Sequence, residues 1–231
     1  MSPSSNVSDR HSLILFDLDN TLCDHRSSLL IRLDHAFQEA FPDSEERSAI
    51  VRDSVAVADD GTAHFGELLG RWGVSEPAAV NRIVDRYQSD RYRGLQLFED
   101  ALEGLQATGE HTQVAMITNG PTDIQQPKID LLGIESLFSF VLISESVGFW
   151  KPDPRIFELA LHRADVPAHQ AAYIGDSPEH DVAGAKAAGL TAIWMNRRDE
   201  EWAGSWTPDH VATNLQDALS WLGISSFQTE S

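Results

Sequence analysis

The sequence contains a single cysteine, few basic residues for its acidic ones, and no long apolar run. Cys23 alone excludes a disulfide within the chain and a zinc site built from cysteines. Lys and Arg number 17 against 36 Asp and Glu, which gives a formal charge of −19. Such a charge repels nucleic acid and anionic lipid, so we expect neither as a partner. No apolar run approaches the roughly 20 residues of a membrane span, and we expect no membrane association.

The chain has 231 residues, of which 42% are hydrophobic, so it has ample material for a packed core. This length suits one large domain, or one domain that carries a smaller inserted one. The polar start, "MSPSSNVSDRH", has no apolar stretch of the kind a signal peptide needs, and it indicates a flexible tail over residues 1–11. We therefore expect a cytoplasmic protein, monomeric or homodimeric.

Five short apolar segments have the length and composition of strands buried on both faces. They are "SLILF" (12–16), "QVAMIT" (113–118), "FSFVLIS" (138–144), "AAYIG" (171–175) and "TAIWM" (191–195). The segments between them have helical patterns; one begins at Asp100, an expected N-cap, and others end at Gly133 and Gly189. Strands that alternate with helices predict an α/β fold, a Rossmann-like, doubly wound parallel sheet.

Residues 25–92 interrupt this alternation, because they contain helical patterns only. Roughly 70 residues of helix between two strands are too many for a simple crossover. We therefore predict a helical-bundle cap domain over residues 25–92, inserted into an α/β core formed by residues 12–24 and 93–231. Phe65 and Trp72 are expected to belong to the small core of the cap.

Polar residues able to bind a metal or a phosphate follow the first four predicted strands. These residues are Asp17 and Asp19, Thr118 and Asn119, Lys151, and Asp176 and Asp181. Ligands bind beyond the carboxyl ends of parallel strands, so we expect these side chains to converge at one edge of the sheet. Four carboxylates near one point require a divalent cation, and oxygen ligands without His or Cys favour Mg²⁺.

This set of side chains is typical of phosphoryl transfer. A carboxylate can act as a nucleophile and pass through an aspartyl-phosphate. The reaction otherwise needs mainly positioning and charge neutralisation, which Mg²⁺, Lys151 and the Thr118 hydroxyl can supply. The paired Asp17 and Asp19 are then explained if one attacks the phosphorus and the other handles the proton.

Four motifs, in this order along the chain, resemble those of the haloacid dehalogenase superfamily of phosphatases. They are "LILFDLDNTL", "VAMITNG", "KPDPRIF" and "YIGDSPEHDVAGAKAAG". The resemblance covers the predicted core, whereas the predicted cap matches in position and helical character only. Similar subgroups include phosphatases for phosphoglycolate, nucleoside monophosphates and acylated amino-sugar phosphates, and the motifs do not choose among them.

The resemblance implies catalytic and substrate-binding roles for the matched residues. Asp17 is the nucleophile that takes the phosphoryl group. Asp19 is the general acid that protonates the leaving oxygen, and then the base that activates water. Thr118 and the backbone amide of Asn119 bind phosphate oxygens, and Lys151 neutralises the nucleophile and the phosphate.

The same resemblance implies a metal site and a supporting residue. Mg²⁺ is expected to be held by the Asp17 side chain, the Asp19 backbone carbonyl and Asp176. Asp181 is expected to orient Lys151 or metal-bound waters rather than to bind the metal directly.

Substrate specificity is expected to come from the predicted cap. Arg26, shortly after the first motif, is a candidate to pair with a second anionic group of a small-molecule phosphate ester. His25 and the turn "DDGTAHF" (59–65) are further polar candidates. Each of these residues is also explained as part of a solvated surface; the two explanations are equal for Arg26, whereas the solvated surface is favoured for His64.

Three other functions stay open on the sequence alone. A phosphomutase acting on a sugar phosphate retains both acidic residues of the first motif. A dehalogenase is disfavoured, because it attacks carbon and needs no proton donor at the position of Asp19. A non-catalytic phosphate-binding scaffold is disfavoured too, because no predicted nucleophile or metal ligand is missing.

Overall fold

The computed structural model describes residues 11–57 and 61–224. The tail expected over residues 1–11 lies outside these ranges except for its last residue, and so do the first two residues of the 59–65 turn. The chain forms two compact units: one contains the residues up to Asp24 and those from Leu97 onward, and the other is His25–Gln96.

The first unit contains a six-stranded, all-parallel sheet in the order β3-β2-β1-β4-β5-β6. The strands are β1 Leu13–Phe16, β2 Gln113–Thr118, β3 Phe140–Ile143, β4 Ala171–Gly175, β5 Thr191–Met195 and β6 His210–Ala212. This confirms the predicted fold class, and the first five strands lie within the predicted apolar segments. The strand order reverses beside β1, and such a switch point is where open α/β sheets bind ligands.

Helices connect the strands and form the second unit. They are α1 His25–Phe37, α2 Ser44–Val57, α3 Phe65–Arg71 and α4 Pro77–Ser89 in the second unit, then α5 Ala101–Gly109, α6 Thr122–Leu132, α7 Ser144–Val147, α8 Pro154–Ala164, α9 Ala183–Ala187 and α10 Leu215–Trp221. A π-helical segment, Pro178–Val182, precedes α9. Among the residues that the structure describes, no helix combines the length and apolar character needed to cross a bilayer.

Local sequence explains several helix ends. Gly133 adopts a left-handed conformation, with φ of 66°, where α6 ends. Asp153 accepts a hydrogen bond from the amide of Arg155 and so caps α8, whose first residue is Pro154. The expected capping role of Asp100 is wrong, because its side chain makes no capping bond to α5. Its carboxylate instead pairs with Arg197 at 2.8 Å and accepts from the backbone amide at the start of α10.

The sixth strand was not predicted, because "HVA" offers three residues and only one of them is buried. Backbone hydrogen bonds at both ends of this strand attach it to β5. The amide of Asp209 donates to the carbonyl of Ala192, and the amide of Asn196 donates to the carbonyl of Ala212. A strand this short is specified by pairing with β5 rather than by its own apolar pattern.

The second unit is held together by an aromatic and aliphatic cluster between its helices. Phe65 is fully buried, with its ring 5.4 Å from that of Phe37 and 5.2 Å from that of Tyr87. Trp72 is partly buried and packs against the same cluster. The prediction that Phe65 and Trp72 belong to the core of this unit is therefore confirmed.

Candidate active site

The first loop of the core places Asp17 and Asp19 beyond the end of β1. The amide of Asp17 still donates to the carbonyl of Ile174 on β4, at 2.9 Å, so the backbone of Asp17 is fixed by the sheet. Asn20 then turns the chain with φ of 59°, a left-handed conformation that Asn tolerates. The amides of Leu22 and Cys23 both bond to the carbonyl of Leu18, which closes a tight loop.

A buried ion cluster lies at the carboxyl ends of β1 and β4. Lys151 Nζ donates to Asp17 Oδ1 and to Asp181 Oδ1, each at 2.6 Å, and to the Tyr173 hydroxyl at 2.9 Å. The side chains of Lys151, Asp17 and Asp181 are all buried. A lysine that satisfies all three of its donors in this way is rigidly placed.

Asp176 adds a further carboxylate to this cluster. Asp17, Asp176 and Asp181 offer oxygen atoms that lie within 4.8 Å of one another. Three carboxylates and one ammonium leave an excess of negative charge in a poorly hydrated place, which a divalent cation would offset. The donor set consists of oxygen atoms, so it fits Mg²⁺.

Asp181 differs from the other two carboxylates because both of its oxygens are already engaged. Oδ1 accepts from Lys151 and from the Tyr173 hydroxyl, at 2.6 and 3.1 Å. Oδ2 accepts from the amide of Ser177 at 2.9 Å. These bonds hold Asp181 against Lys151.

Burial is the largest influence on the pKa values of this cluster, and the neighbouring charges come second. Burial raises the pKa of Asp17 to about 7, and the nearby Asp181 and Asp19 carboxylates act in the same direction, against the opposing effect of Lys151. Burial, followed by the Asp17 charge, raises the pKa of Asp176. For Lys151 burial lowers the pKa, but the Asp17 and Asp181 carboxylates outweigh it and raise the pKa above the usual value.

The end of β2 supplies a hydroxyl, and the loop after β2 supplies a side chain that fixes the backbone of Lys151. Thr118 is fully buried, and its Oγ1 accepts a hydrogen bond from Gln125 Nε2 at 2.8 Å. The Asn119 side chain bonds the backbone of Lys151 in both directions, with Nδ2 donating to the carbonyl at 3.0 Å and Oδ1 accepting from the amide at 2.9 Å. The Asn119 side chain therefore fixes the backbone at Lys151. The sequence analysis did not predict this role of the side chain.

Asp19 has two partners on α6 that sequence reasoning also missed. Lys128 Nζ contacts both carboxylate oxygens, at 2.8 and 2.7 Å, and Gln125 Nε2 donates to Oδ2 at 3.0 Å. Gln125 and Lys128 are three residues apart and lie on one face of the helix. That spacing, within a segment that also buries Ile129, is the signal in the sequence that points to them.

Arg26 belongs to the other unit. It is an exposed side chain in the first turn of α1, where it has an electrostatic or hydrogen-bonding partner of its own. The first unit brings four predicted residues, Asp17, Lys151, Asp176 and Asp181, into the ion cluster. Asn119 is joined to them through the backbone of Lys151.

Sequence comparisons identify known proteins that are similar to this chain. The chain is 46% identical over 134 residues to the phosphoserine phosphatase of Thermus thermophilus, a match that covers 58% of this chain and 53% of that protein. It is 32% identical over 220 residues to the ribulose-1,5-bisphosphate 5-phosphatase of Halopiger xanaduensis, covering 88% and 92%. Thus the chain spans about half of the first relative and nearly all of the second.

Solved structures and a family model place the chain further. The magnesium-bound structure of the putative HAD-hydrolase YfnB from Bacillus subtilis shares the fold, with a TM-score of 0.75 at 21% identity, over 92% of this chain and 99% of that one. The model of the haloacid dehalogenase-like hydrolase family matches residues 14–195, which include β1 except for its first residue, β2 to β5, and every residue of the ion cluster. The chain therefore belongs to the haloacid dehalogenase-like hydrolase family.

Proposed function

We propose that this protein hydrolyses a small-molecule phosphate monoester, with Mg²⁺ as cofactor and a phosphoryl group carried transiently on Asp17. The observation that carries the proposal is the placement of Asp17. It is a buried carboxylate in contact with Lys151, inside an excess of negative charge, with Asp19 two residues further along the same loop. Two relatives that share its family are phosphatases for phosphoserine and for ribulose-1,5-bisphosphate.

In the first step, a carboxylate oxygen of Asp17 attacks the phosphorus atom. The bond from phosphorus to the ester oxygen breaks, and an acyl phosphate forms on Asp17. Asp19, which is protonated when the ester binds, gives that proton to the departing oxygen, so the product leaves as an alcohol and Asp19 becomes a carboxylate. The fixed backbone of Asp17, hydrogen-bonded into β4, favours a constant direction of attack.

In the second step, Asp19 acts as a base. It takes a proton from a water molecule, and the oxygen of that water attacks the phosphorus of the acyl phosphate. Inorganic phosphate leaves and the Asp17 carboxylate is regenerated, so one ester and one water give one alcohol and one phosphate. Acid–base work of this kind typically contributes about 10²–10⁴-fold to the rate.

The remaining residues neutralise charge and bind the phosphate. Lys151 balances the Asp17 carboxylate, Asp181 keeps the lysine in place, and the Thr118 hydroxyl and the Asn119 amide donate to phosphate oxygens. The side chains of Asp17 and Asp176 and the backbone carbonyl of Asp19 would hold Mg²⁺, whose charge, when bound, offsets that of the phosphate.

We assign substrate selection to the inserted helical unit, the proposed cap domain, with Arg26 as the residue that pairs with a second anionic group. The two named relatives support this choice, because phosphoserine and ribulose-1,5-bisphosphate each carry such a group beyond the phosphate that is removed. We place the protein in the cytoplasm, where its one buried, unpaired thiol, Cys23, stays reduced.

The test is phosphate release from a panel of esters, measured with Mg²⁺ and with a chelator, for wild type and Asp17→Asn. We expect release that needs Mg²⁺ and that falls by at least about a thousandfold in the variant. Lys186→Met, a substitution on the surface of the same unit, is the matched control. If no ester releases phosphate but a sugar phosphate is rearranged, the protein is a phosphomutase and the proposal is wrong.

A further inference from the structure

Two buried side chains of α6 donate hydrogen bonds to the Asp19 carboxylate. Lys128 and Gln125 are only 5% and 2% exposed, whereas the Asp19 side chain is 24% exposed. A buried ammonium loses its hydration, so its free energy depends on close partners. Lys128 Nζ finds them in both oxygens of Asp19, at 2.7 and 2.8 Å. This ion pair is largely shielded from solvent, unlike the solvent-screened pairs at the protein surface.

Gln125 joins Asp19 to the loop after β2. Its Nε2 lies 3.0 Å from Asp19 Oδ2, 2.8 Å from Thr118 Oγ1 and 2.6 Å from the carbonyl oxygen of Asn119, so its two hydrogens are shared among three acceptors. The opposite orientation of the amide would set its oxygen against a carboxylate and a carbonyl, so these two acceptors fix which end faces them. One side chain thereby ties the acid–base residue to the loop that follows β2.

This arrangement also fixes the direction of the Thr118 hydroxyl. Thr118 Oγ1 accepts from Gln125, so its own hydrogen must point away from Gln125. A hydroxyl with its acceptor side already occupied is prepared to donate, which is what an incoming phosphate oxygen requires.

The backbone leaves room for Gln125. Gly120 has φ of 148°, and a Cβ atom there would lie 2.7 Å from Gln125 Cγ. Any larger residue would displace the glutamine, so the loop after β2 and the face of α6 are fitted to each other.

We propose that Lys128 and Gln125 are positioning residues for the acid–base step: together they hold the Asp19 carboxylate in one orientation, and Gln125 aims the Thr118 hydroxyl at the phosphate. The inference rests on the proposed function. An aspartate side chain without such partners has several staggered orientations available. Proton transfer to the leaving oxygen requires one that is within hydrogen-bond reach.

The dependence of the rate on the leaving group separates this role from a merely structural one. An alkoxide is a poor leaving group and needs the proton from Asp19, whereas 2,4-dinitrophenolate leaves without one. We expect Lys128→Met to lower kcat/KM for ethyl phosphate by about 10–100-fold, and for 2,4-dinitrophenyl phosphate by less than about threefold. Lys128→Arg, which keeps the charge, should retain more of the ethyl phosphate activity than Lys128→Met.

Two matched controls are available in the same unit. Lys186 Nζ contacts both oxygens of Asp209, each at 2.8 Å, and so has the same bonding pattern on the surface. Gln126 neighbours Gln125 but bonds to Asp130 and Glu135. We expect Lys186→Met and Gln126→Met to leave both rates within about twofold, whereas Gln125→Met lowers the ethyl phosphate rate selectively.

Equal losses on the two esters, or no loss, in Lys128→Met and Gln125→Met would overturn the inference while leaving the proposed function intact. Failure of the wild type on every ester would instead contradict the proposed function, and the inference with it. If Lys128→Met does not fold, as judged by circular dichroism, Lys128→Gln and Gln125→Met make the same comparison.

Discussion

The two units of this chain bury different kinds of side chain. At the strand ends of the first, Asp17, Asp181 and Lys151 are buried together with their charges. The centre of the second is a cluster of rings and aliphatic side chains around Phe65 and Tyr87, and the one charged side chain that is buried among the described residues of this unit, Arg32, lies over the Tyr87 ring. Burial of charge is costly unless each group has its partner, whereas apolar packing tolerates exchange of similar volumes. We therefore predict that the stability of the first unit depends on keeping each charged group of the ion cluster. The stability of the helical unit is predicted to depend on the volume of its buried side chains.

The largest expected loss of stability follows from removing the cation at the centre of the core cluster. Lys151→Met leaves Asp17 and Asp181 buried without their shared partner, and breaking a buried pair in this way costs about 3–5 kcal/mol. The measurement is the urea midpoint of the metal-free protein, followed by hydrogen exchange of β1 and β4. Lys186→Met, which breaks a surface pair, should cost at most about 1 kcal/mol. Similar shifts for the two variants would remove the contrast.

A cavity in the helical unit gives the complementary test. Leu68 is fully buried among the rings of this unit, and Leu68→Ala should cost about 2–5 kcal/mol through lost burial and the remaining void. Hydrogen exchange should accelerate in peptides from residues 25–96 and stay unchanged in the sheet. Equal acceleration in the sheet strands would show that the two units do not respond separately.

Two glycines sharpen the comparison within the core. Gly120→Ala forces a Cβ atom to within 2.7 Å of Gln125 in a strained conformation, and should cost about 1–3 kcal/mol together with much of the activity. Gly133 also has a positive φ, of 66°, but a Cβ atom there meets nothing within 4 Å. Gly133→Ala should cost about 1 kcal/mol and preserve activity. The measurements are calorimetry and turnover on both variants. Loss of activity in Gly133→Ala would contradict the prediction that only the contact with Gln125 matters for activity.

The smallest expected effect is a pH dependence in the helical unit. His64 bonds to the buried Ser54 hydroxyl at 2.8 Å, and burial lowers the pKa of His64 below its usual 6.5. On acidification the unfolded state then binds the proton before the folded state does, so stability present above about pH 6.5 declines as the pH falls toward the folded pKa.

Unfolding of residues 25–96, measured by hydrogen exchange at about pH 7.5 and about pH 5, checks this sign. We expect the decline on acidification to be shallower in His64→Gln than in wild type. A steeper decline in the variant would mean that the folded state favours the protonated ring.

The general position of the site was predictable from the sequence because of the parallel topology. Apolar segments of strand length mark where the chain crosses the sheet; Asp17 and Asp176 each come directly after one of them, and Thr118 ends another. Parallel strands end at the same edge, so proximity follows from order in the sequence. The role of Asp181 came from the family resemblance instead, which implied that it orients Lys151 or metal-bound waters, and the Asp181 and Lys151 side chains lie 2.6 Å apart.

Contacts that depend on side-chain direction were not predictable in this way. Lys128 and Gln125 lie in the middle of α6, where polar residues are ordinarily solvated, and only the packing of α6 turns them toward Asp19. Asp100 precedes a helix and satisfies the pattern of an N-cap, but Arg197, nearly a hundred residues later, competes for its carboxylate. The spacing of Gln125 and Lys128 places both on one face of α6, but no local pattern identifies a partner as distant in the sequence as Asp19 is from α6 or Arg197 is from Asp100.

The central claim is that Asp17 carries the phosphoryl group, and trapping that group tests it most directly. The enzyme is mixed with a phosphate ester and Mg²⁺, quenched with acid during turnover, digested and analysed by mass spectrometry. We predict an added phosphoryl mass on the peptide that contains Asp17, removed by hydroxylamine as expected of an acyl phosphate and absent from Asp17→Asn. Steady turnover with the phosphoryl group on another residue, or undiminished turnover in Asp17→Asn, would contradict the account.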